Sequence, residues 1–147
     1  MSNQSYSTSF TVDKSPDEVF KAVNNARGWW SGEITGETDR VGAEFAYRVP
    51  NVHFSRQKIT ELIPGKKIVW HVLDADISFV KNTGEWKDTD IVFEIARKGD
   101  KTELCFTHMR LVPAFECYKD CSNGWSLLVN GNLRKLIMTG ELQPSPW

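Results

Sequence analysis

A change of period divides this chain. From Gly42 to Arg110 apolar residues tend to recur at every second position, and beyond that stretch they recur every third and fourth. Alternation by two reads as half-buried strands, and the later spacing as one face of a helix. The helical stripe is Trp125, Leu128, Val129, Leu133, Leu136 and Ile137, with Ser126, Asn130, Arg134 and Lys135 on the other side. Cys117 and Cys121 continue it upstream, so the helix is expected to start just after Pro113. Gly140 is a natural stop, and Pro144 and Pro146 prevent resumption. Gly124 and Gly131 each weaken such a helix by roughly 1 kcal/mol relative to alanine. Close approach of another backbone, or room for a ligand, would compensate.

Ahead of the alternating region, Thr8 to Val12 reads as a strand. Ser15-Pro16-Asp17-Glu18 is a helix start: a capping serine, a proline where a missing N–H costs nothing, and a glutamate placed to close a capping box. Val19, Phe20 and Val23 give that helix an apolar face ending near Asn24-Asn25, and Ala26 to Ser31 reads as a turn or a second brief helix. Within the meander, Phe45, Tyr47 and Val49 share a strand face, Gln57–Ile63 forms the next strand, and Ile63-Pro64-Gly65-Lys66 turns the chain. Ile68–Leu73 scarcely alternates, which suggests a strand covered on both faces or twisted between them. A short strand is expected around Glu85-Trp86. Ile91, Phe93 and Ile95 then pair through a turn at Lys98-Gly99-Asp100-Lys101 with Leu104, Phe106 and His108. Every connection is too short for a parallel crossover. The expectation is a single α+β domain over 1–147: a curved antiparallel sheet of about six strands gripping the final helix, with two short helices after the first strand.

Composition narrows the function. Eighteen basic against nineteen acidic groups leave a net charge of −1, too little positive charge to neutralise a phosphate backbone, so no nucleic-acid partner is expected. Apolar runs span only a few residues, so no membrane insertion is expected either. The first residues, Met1-Ser2-Asn3-Gln4-Ser5, have no basic start or apolar stretch, and the three cysteines read as reduced thiols; both favour a cytoplasmic location.

No catalytic motif is recognisable, and no catalytic residue, cofactor or metal is assigned. The glycines between Gly28 and Gly36 neither follow a strand nor open a long helix, so they do not form a phosphate loop. Cys117 and Cys121 stand one turn apart and, with His108, fall short of a zinc set; compact apolar packing is the better reading. Cys105 should face away from Leu104 and Phe106. His108 shares their face, where it can be satisfied by the protein, contact a ligand or move a proton. His53 and His71 read as structural, and Asp74 and Asp76 as solvated charge. The stronger signal is aromatic: six tryptophans, eight phenylalanines and three tyrosines. A sheet wrapped on one helix brings Trp30, Phe45, Tyr47, Trp70, Phe93, Phe106, His108, Trp125, Val129 and Leu133 together as candidate ligand-binding residues. Their rings either line an apolar cavity or fill it.

The order of these segments resembles the START-like (SRPBCC) superfamily. Within it, the chain is most similar to the family related to the C-terminal domain of the activator of heat-shock-protein-90 ATPase, in a bacterial single-domain branch. The resemblance rests on Ser15-Pro16-Asp17-Glu18-Val19-Phe20, on Glu61 to Trp70, on Glu85-Trp86, Phe93-Glu94-Ile95, Phe106-Thr107-His108 and Leu111-Val112-Pro113. Glu116-Cys117-Tyr118, Cys121 to Trp125 and the ending through Thr139-Gly140 extend it over nearly the whole chain. It implies a helix-grip fold with a deep hydrophobic cavity, and relatives that carry lipids, receive hormones, cyclise polyketides or activate a chaperone. The separate N-terminal domain of the eukaryotic activator does not appear, nor do the iron ligands of ring-hydroxylating relatives. Three functions compete: a monomeric, non-catalytic binder of a small apolar or amphipathic, lipid- or polyketide-like molecule; a cyclase-like enzyme using His108 and Tyr47; and a module with a chaperone partner.

Overall fold

The computed structural model describes residues 6–30, 33–49, 53–77, 86–111 and 118–141. The chain runs β1 (Tyr6–Val12), α1 (Pro16–Asn24), a 3-10 turn (Ala26–Gly28), β2 (Glu33–Gly36), β3 (Glu44–Val49), β4 (His53–Ile63), β5 (Lys67–Ile77), β6 (Asp90–Lys98) and β7 (Lys101–Met109). The C-terminal helix follows as α2 (Tyr118–Ser126), a π-helical segment (Leu127–Leu133) and α3 (Arg134–Thr139). Among the described residues the strands form one antiparallel sheet in the order β1-β7-β6-β5-β4-β3-β2, with seven strands where about six are expected. The fold is the α+β helix grip. No described helix is long and apolar enough to cross a membrane.

Local chemistry accounts for the element ends. Ser15 caps α1 and accepts from the Glu18 N–H at 3.1 Å, while the Glu18 carboxylate accepts from the Ser15 N–H at 3.3 Å. Gly140 ends α3 in the left-handed conformation, φ 76°, its N–H donating to the Leu136 carbonyl. Lys98 and Lys101 face each other across the Gly99-Asp100 turn.

Several expectations need correction. The added strand is β2, paired with β3 as a sheet edge. Trp86 lies in a turn before β6, not in a strand, and Glu85 lies outside the described residues. β4 begins at His53 rather than Gln57, and β5 continues to Ile77. β5 is also one-sided: Ile68, Trp70 and Val72 are buried while Val69, His71 and Leu73 stay half-exposed. Register shifts at Arg56/Gln57 and Ile59/Glu61 interrupt its ladder with β4. An extra residue bends and twists a strand, which curves this part of the sheet towards the helix. The expected helix start and Cys117 lie outside the described residues. Gly131 is not a point of close approach, because a Cβ there would meet nothing within 4 Å.

The core lies between the concave face of the sheet and the helix stripe. Val19 and Val23 of α1 join it from one end, beside Leu136 and Ile137. Each large apolar side chain buried there contributes roughly 1.5–3 kcal/mol, so the stripe alone commits the helix to this face. Polar pairs fix the open edge to the helix: Tyr6 Oη and Ser126 Oγ are 2.5 Å apart, and Asn130 Nδ2 donates to Thr8 Oγ1 at 3.1 Å.

Candidate functional site: an aromatic interior with a polar seam

Six segments deliver rings to one place. The residues just after the 3-10 turn supply Trp29 and Trp30, β3 presents Phe45 and Tyr47, β5 presents Trp70, β6 and β7 present Phe93 and Phe106, and α2 presents Trp125. Trp30 stacks on Tyr47 with centroids 4.1 Å apart and lies within 6° of parallel to Trp70 at 5.5 Å. Phe45 meets Trp70 edge-on at 5.0 Å, Trp70 meets Phe93 at 4.9 Å, and Phe106 meets Trp125 at 4.7 Å. These are ordinary aromatic contact distances. All ten residues expected at a binding site are brought together, because Val129 and Leu133 are buried beneath these rings and His108 abuts Trp125. Between described residues the rings touch one another. Two clefts lined wholly by described residues open elsewhere. One, of about 600 Å³, lies beside the start of α1 and the β4–β5 turn, and the other, of about 280 Å³, lies between α1 and α3.

A polar seam runs through this apolar shell. His108 is fully buried, and its bonding follows from donor inventory. The Trp125 indole N–H can only donate, and it points at His108 Nδ1 from 3.0 Å, so that nitrogen is unprotonated. The ring proton then sits on Nε2, which donates to Thr89 Oγ1 at 2.8 Å. The Thr89 hydroxyl in turn donates to the Trp86 carbonyl at 2.5 Å. Burial, reinforced by the charge His53 would carry, lowers the His108 pKa to about 3. His108 is therefore neutral near pH 7, with both nitrogens engaged by the protein.

A second chain lies alongside on β4. Gln57 Nε2 donates to Ser55 Oγ at 2.5 Å, and Ser55 Oγ lies 3.0 Å from His53 Nε2. His53 keeps partial exposure, but its ring is shut between Tyr47 at 5.3 Å and Trp86 at 4.7 Å. Burial holds its pKa down at about 4. Among the described residues, three buried polar atoms of this interior have no hydrogen-bond partner: Gln57 Oε1, Trp70 Nε1 and Trp86 Nε1.

Sequence reasoning missed His53, Ser55, Gln57, Trp86 and Thr89. The signal for the first three was their two-residue spacing into Ile59, which only a longer β4 turns inward. The remaining candidates lie outside the seam. His71 faces outward, with Nδ1 2.7 Å from an Asp90 oxygen and Nε2 3.5 Å from Asp88. Asp74 and Asp76 are exposed. Cys105 is half-buried on the outer face, its thiol pKa raised by burial and by Glu103, and Cys121 is buried. No group of three or more metal-binding side chains occurs among the described residues.

Comparison with known proteins agrees with this architecture. The solution structure of the Aha1 dimer from Colwellia psychrerythraea superposes with a TM-score of 0.74 at 22% identity, covering 95% of this chain and 98% of that one. CalU16 from Micromonospora echinospora gives 0.67 at 21% identity over 97% of this chain and 77% of that one. DynU16, from the dynemicin biosynthetic locus, gives 0.70 at 16% identity, with 99% of this chain covering 51% of its length. At these identities the likeness is one of fold. No curated protein matches the sequence significantly. The profile of the family described as activator of Hsp90 ATPase homolog 1-like protein matches residues 13–137. The chain belongs to that family.

Proposed function

We propose that this protein binds a small apolar or amphipathic molecule in the interior between the sheet and the C-terminal helix, without transforming it. The observation that carries the reading is the set of unpartnered polar atoms, Gln57 Oε1, Trp70 Nε1 and Trp86 Nε1, within one aromatic shell. Leaving such a group buried and unpaired costs about 1–3 kcal/mol, so three in one interior favour a partner from outside the chain. A ligand bringing an acceptor and a donor recovers that cost. Apolar burial at roughly 25 cal/mol per Å² then supplies micromolar affinity with no charged anchor. The engaged, neutral state of His108 weighs against the cyclase-like alternative, which needs that ring to exchange protons near pH 7.

The test is an NMR titration with a panel of fatty alcohols, fatty acids, sterols and naphthols. Binding should shift the signals of Phe93, Phe106 and Trp125. A panel that leaves all three in place overturns the reading.

Family membership favours a second reading, contact with a chaperone. Among the described residues, the exposed large apolar side chains Val41, Ile63, Met109, Leu127 and Met138 are spread over the β2–β3 connection, the ends of β4 and β7 and the helix, which lends that reading little support. Stimulation of Hsp90 ATPase by this domain alone would establish it. A cytoplasmic monomer remains our expectation, and light scattering decides the oligomeric state, since the related Aha1 from Colwellia psychrerythraea is described as a dimer.

A further inference from the structure

We propose that the indole of Trp30 is a built-in occupant of the ligand site, standing where a flat, neutral, hydroxyl-bearing aromatic molecule stacks, and that such a ligand binds by displacing it. The inference rests on the binding function above and adds the ligand class and the gate. Trp30 lies flat on Tyr47 at 4.1 Å and parallel, within 6° and 14°, to Trp70 and Trp29. Phe45 closes its edge at 6.2 Å, and Trp125 lies tilted against it at 5.3 Å. A space whose walls are parallel rings and whose occupant is itself a flat ring accepts another flat ring with little change of contact.

The way each indole is fastened separates Trp30 from its neighbours. Trp29 Nε1 donates to the Val23 carbonyl at 3.2 Å, and Trp125 Nε1 donates to His108. Trp70 sits mid-strand in β5, paired on both sides. The Trp30 indole makes no hydrogen bond to any described residue, and the rings of Trp29, Phe45, Tyr47, Trp70 and Trp125 pack against it. Its backbone stays anchored while the side chain turns: the Trp30 N–H donates to the Ala26 carbonyl at 2.8 Å, and Asn132 Nδ2 of the C-terminal helix donates to the Trp29 carbonyl of the same peptide at 3.3 Å. Moving this ring breaks stacking that a flat ligand restores, and no buried hydrogen bond.

Polarity sets the rest of the ligand class. Trp70, whose ring lies against Trp30, has a buried indole N–H with no acceptor among the described residues, and a ligand hydroxyl seated in the Trp30 slot supplies one. No lysine or arginine among the described residues is buried, and the two histidines of the seam are neutral. A carboxylate would find no counter-charge there, and a desolvated unpaired charge is costly.

The probe is 2-naphthol, with naphthalene and dodecanol as controls, added to protein labelled with 5-fluorotryptophan. The fluorine signal of Trp30 is assigned in the wild type by its contact with Tyr47. As naphthol binds, that signal should move to the solvent-exposed position while those of Trp29 and Trp70 stay protected. Naphthol should bind about tenfold more tightly than naphthalene, the difference one satisfied buried polar pair makes. Trp30→Ala should bind naphthol at least about tenfold more tightly than wild type, because the competent state no longer has to be vacated. Where alanine leaves too large a void to fold, Trp30→Leu carries the comparison. Naphthol bound with the Trp30 signal unmoved overturns the displacement, and equal affinity for naphthalene overturns the hydroxyl requirement. Dodecanol binding in the interior while naphthol does not bind defeats this inference and leaves the binding function standing. Failure of every compound to bind wild type or variant defeats both.

Discussion

At the scale of the residue, His108 shows how one side chain is fixed by what surrounds it. Its Nδ1 satisfies the buried Trp125 indole and its Nε2–H satisfies Thr89, so truncation leaves two buried groups without partners as well as a void. His108→Ala should cost about 3 kcal/mol or more in urea unfolding. His71→Ala, on the outer face among Asp88 and Asp90, should cost less than about 1 kcal/mol, as half-exposed polar contacts do. Equal losses at the two positions would refute the relay. Much of the aromatic interior was legible in the sequence because Phe45, Tyr47, Phe93, Phe106 and Trp125 each sit on an unambiguous period. His53, Ser55 and Gln57 were not: polar letters at inward positions look like the solvent face of a strand. Trp86 was hidden because a turn has no period to read.

At the scale of the element, periodicity succeeds where one face is wholly apolar. β6 and β7 announce themselves through Ile91, Phe93, Ile95 and Leu104, Phe106, and α1 through its capping box. β2 carries one large apolar residue, Ile34, and that one is half-buried, so pairing with β3 rather than hydrophobicity makes it a strand. Its end depends on Gly36, at φ +101°, where a Cβ would lie 2.3 Å from the Glu44 carbonyl oxygen. Gly36→Ala should destabilise by about 2 kcal/mol or more through strain and clash. Gly131→Ala, in the π-helical segment with open space at its Cβ and no positive φ, should stabilise by roughly 0.5–1 kcal/mol. Thermal unfolding of the pair checks both signs, and a destabilised Gly131→Ala would mean that the segment needs glycine for a reason other than space.

At the scale of the whole molecule, the two seam histidines make stability depend on pH. Both are neutral when folded, with pKa values lowered by burial to about 4 for His53 and about 3 for His108, against about 6.5 in an unfolded chain. As pH falls through 6.5 the unfolded chain takes up two protons that the folded chain refuses, so stability rises with pH in this window. Each histidine contributes a loss of about 1.4 kcal/mol per pH unit once the unfolded form is protonated and the folded form is not. The loss should therefore begin below about pH 7, steepen between 6 and 4, and flatten as the folded histidines themselves protonate. Urea midpoints measured at pH 7, 6, 5 and 4 give the slope. His53→Gln should remove close to half of it, because glutamine keeps a polar contact to Ser55 without a titrating proton. A wild-type slope unchanged by that substitution would place the proton uptake elsewhere and refute neutral His53 as its source. The same argument bears on ligand binding: a neutral molecule seated among these rings binds only the folded protein, so it should raise the midpoint at every pH without changing the slope.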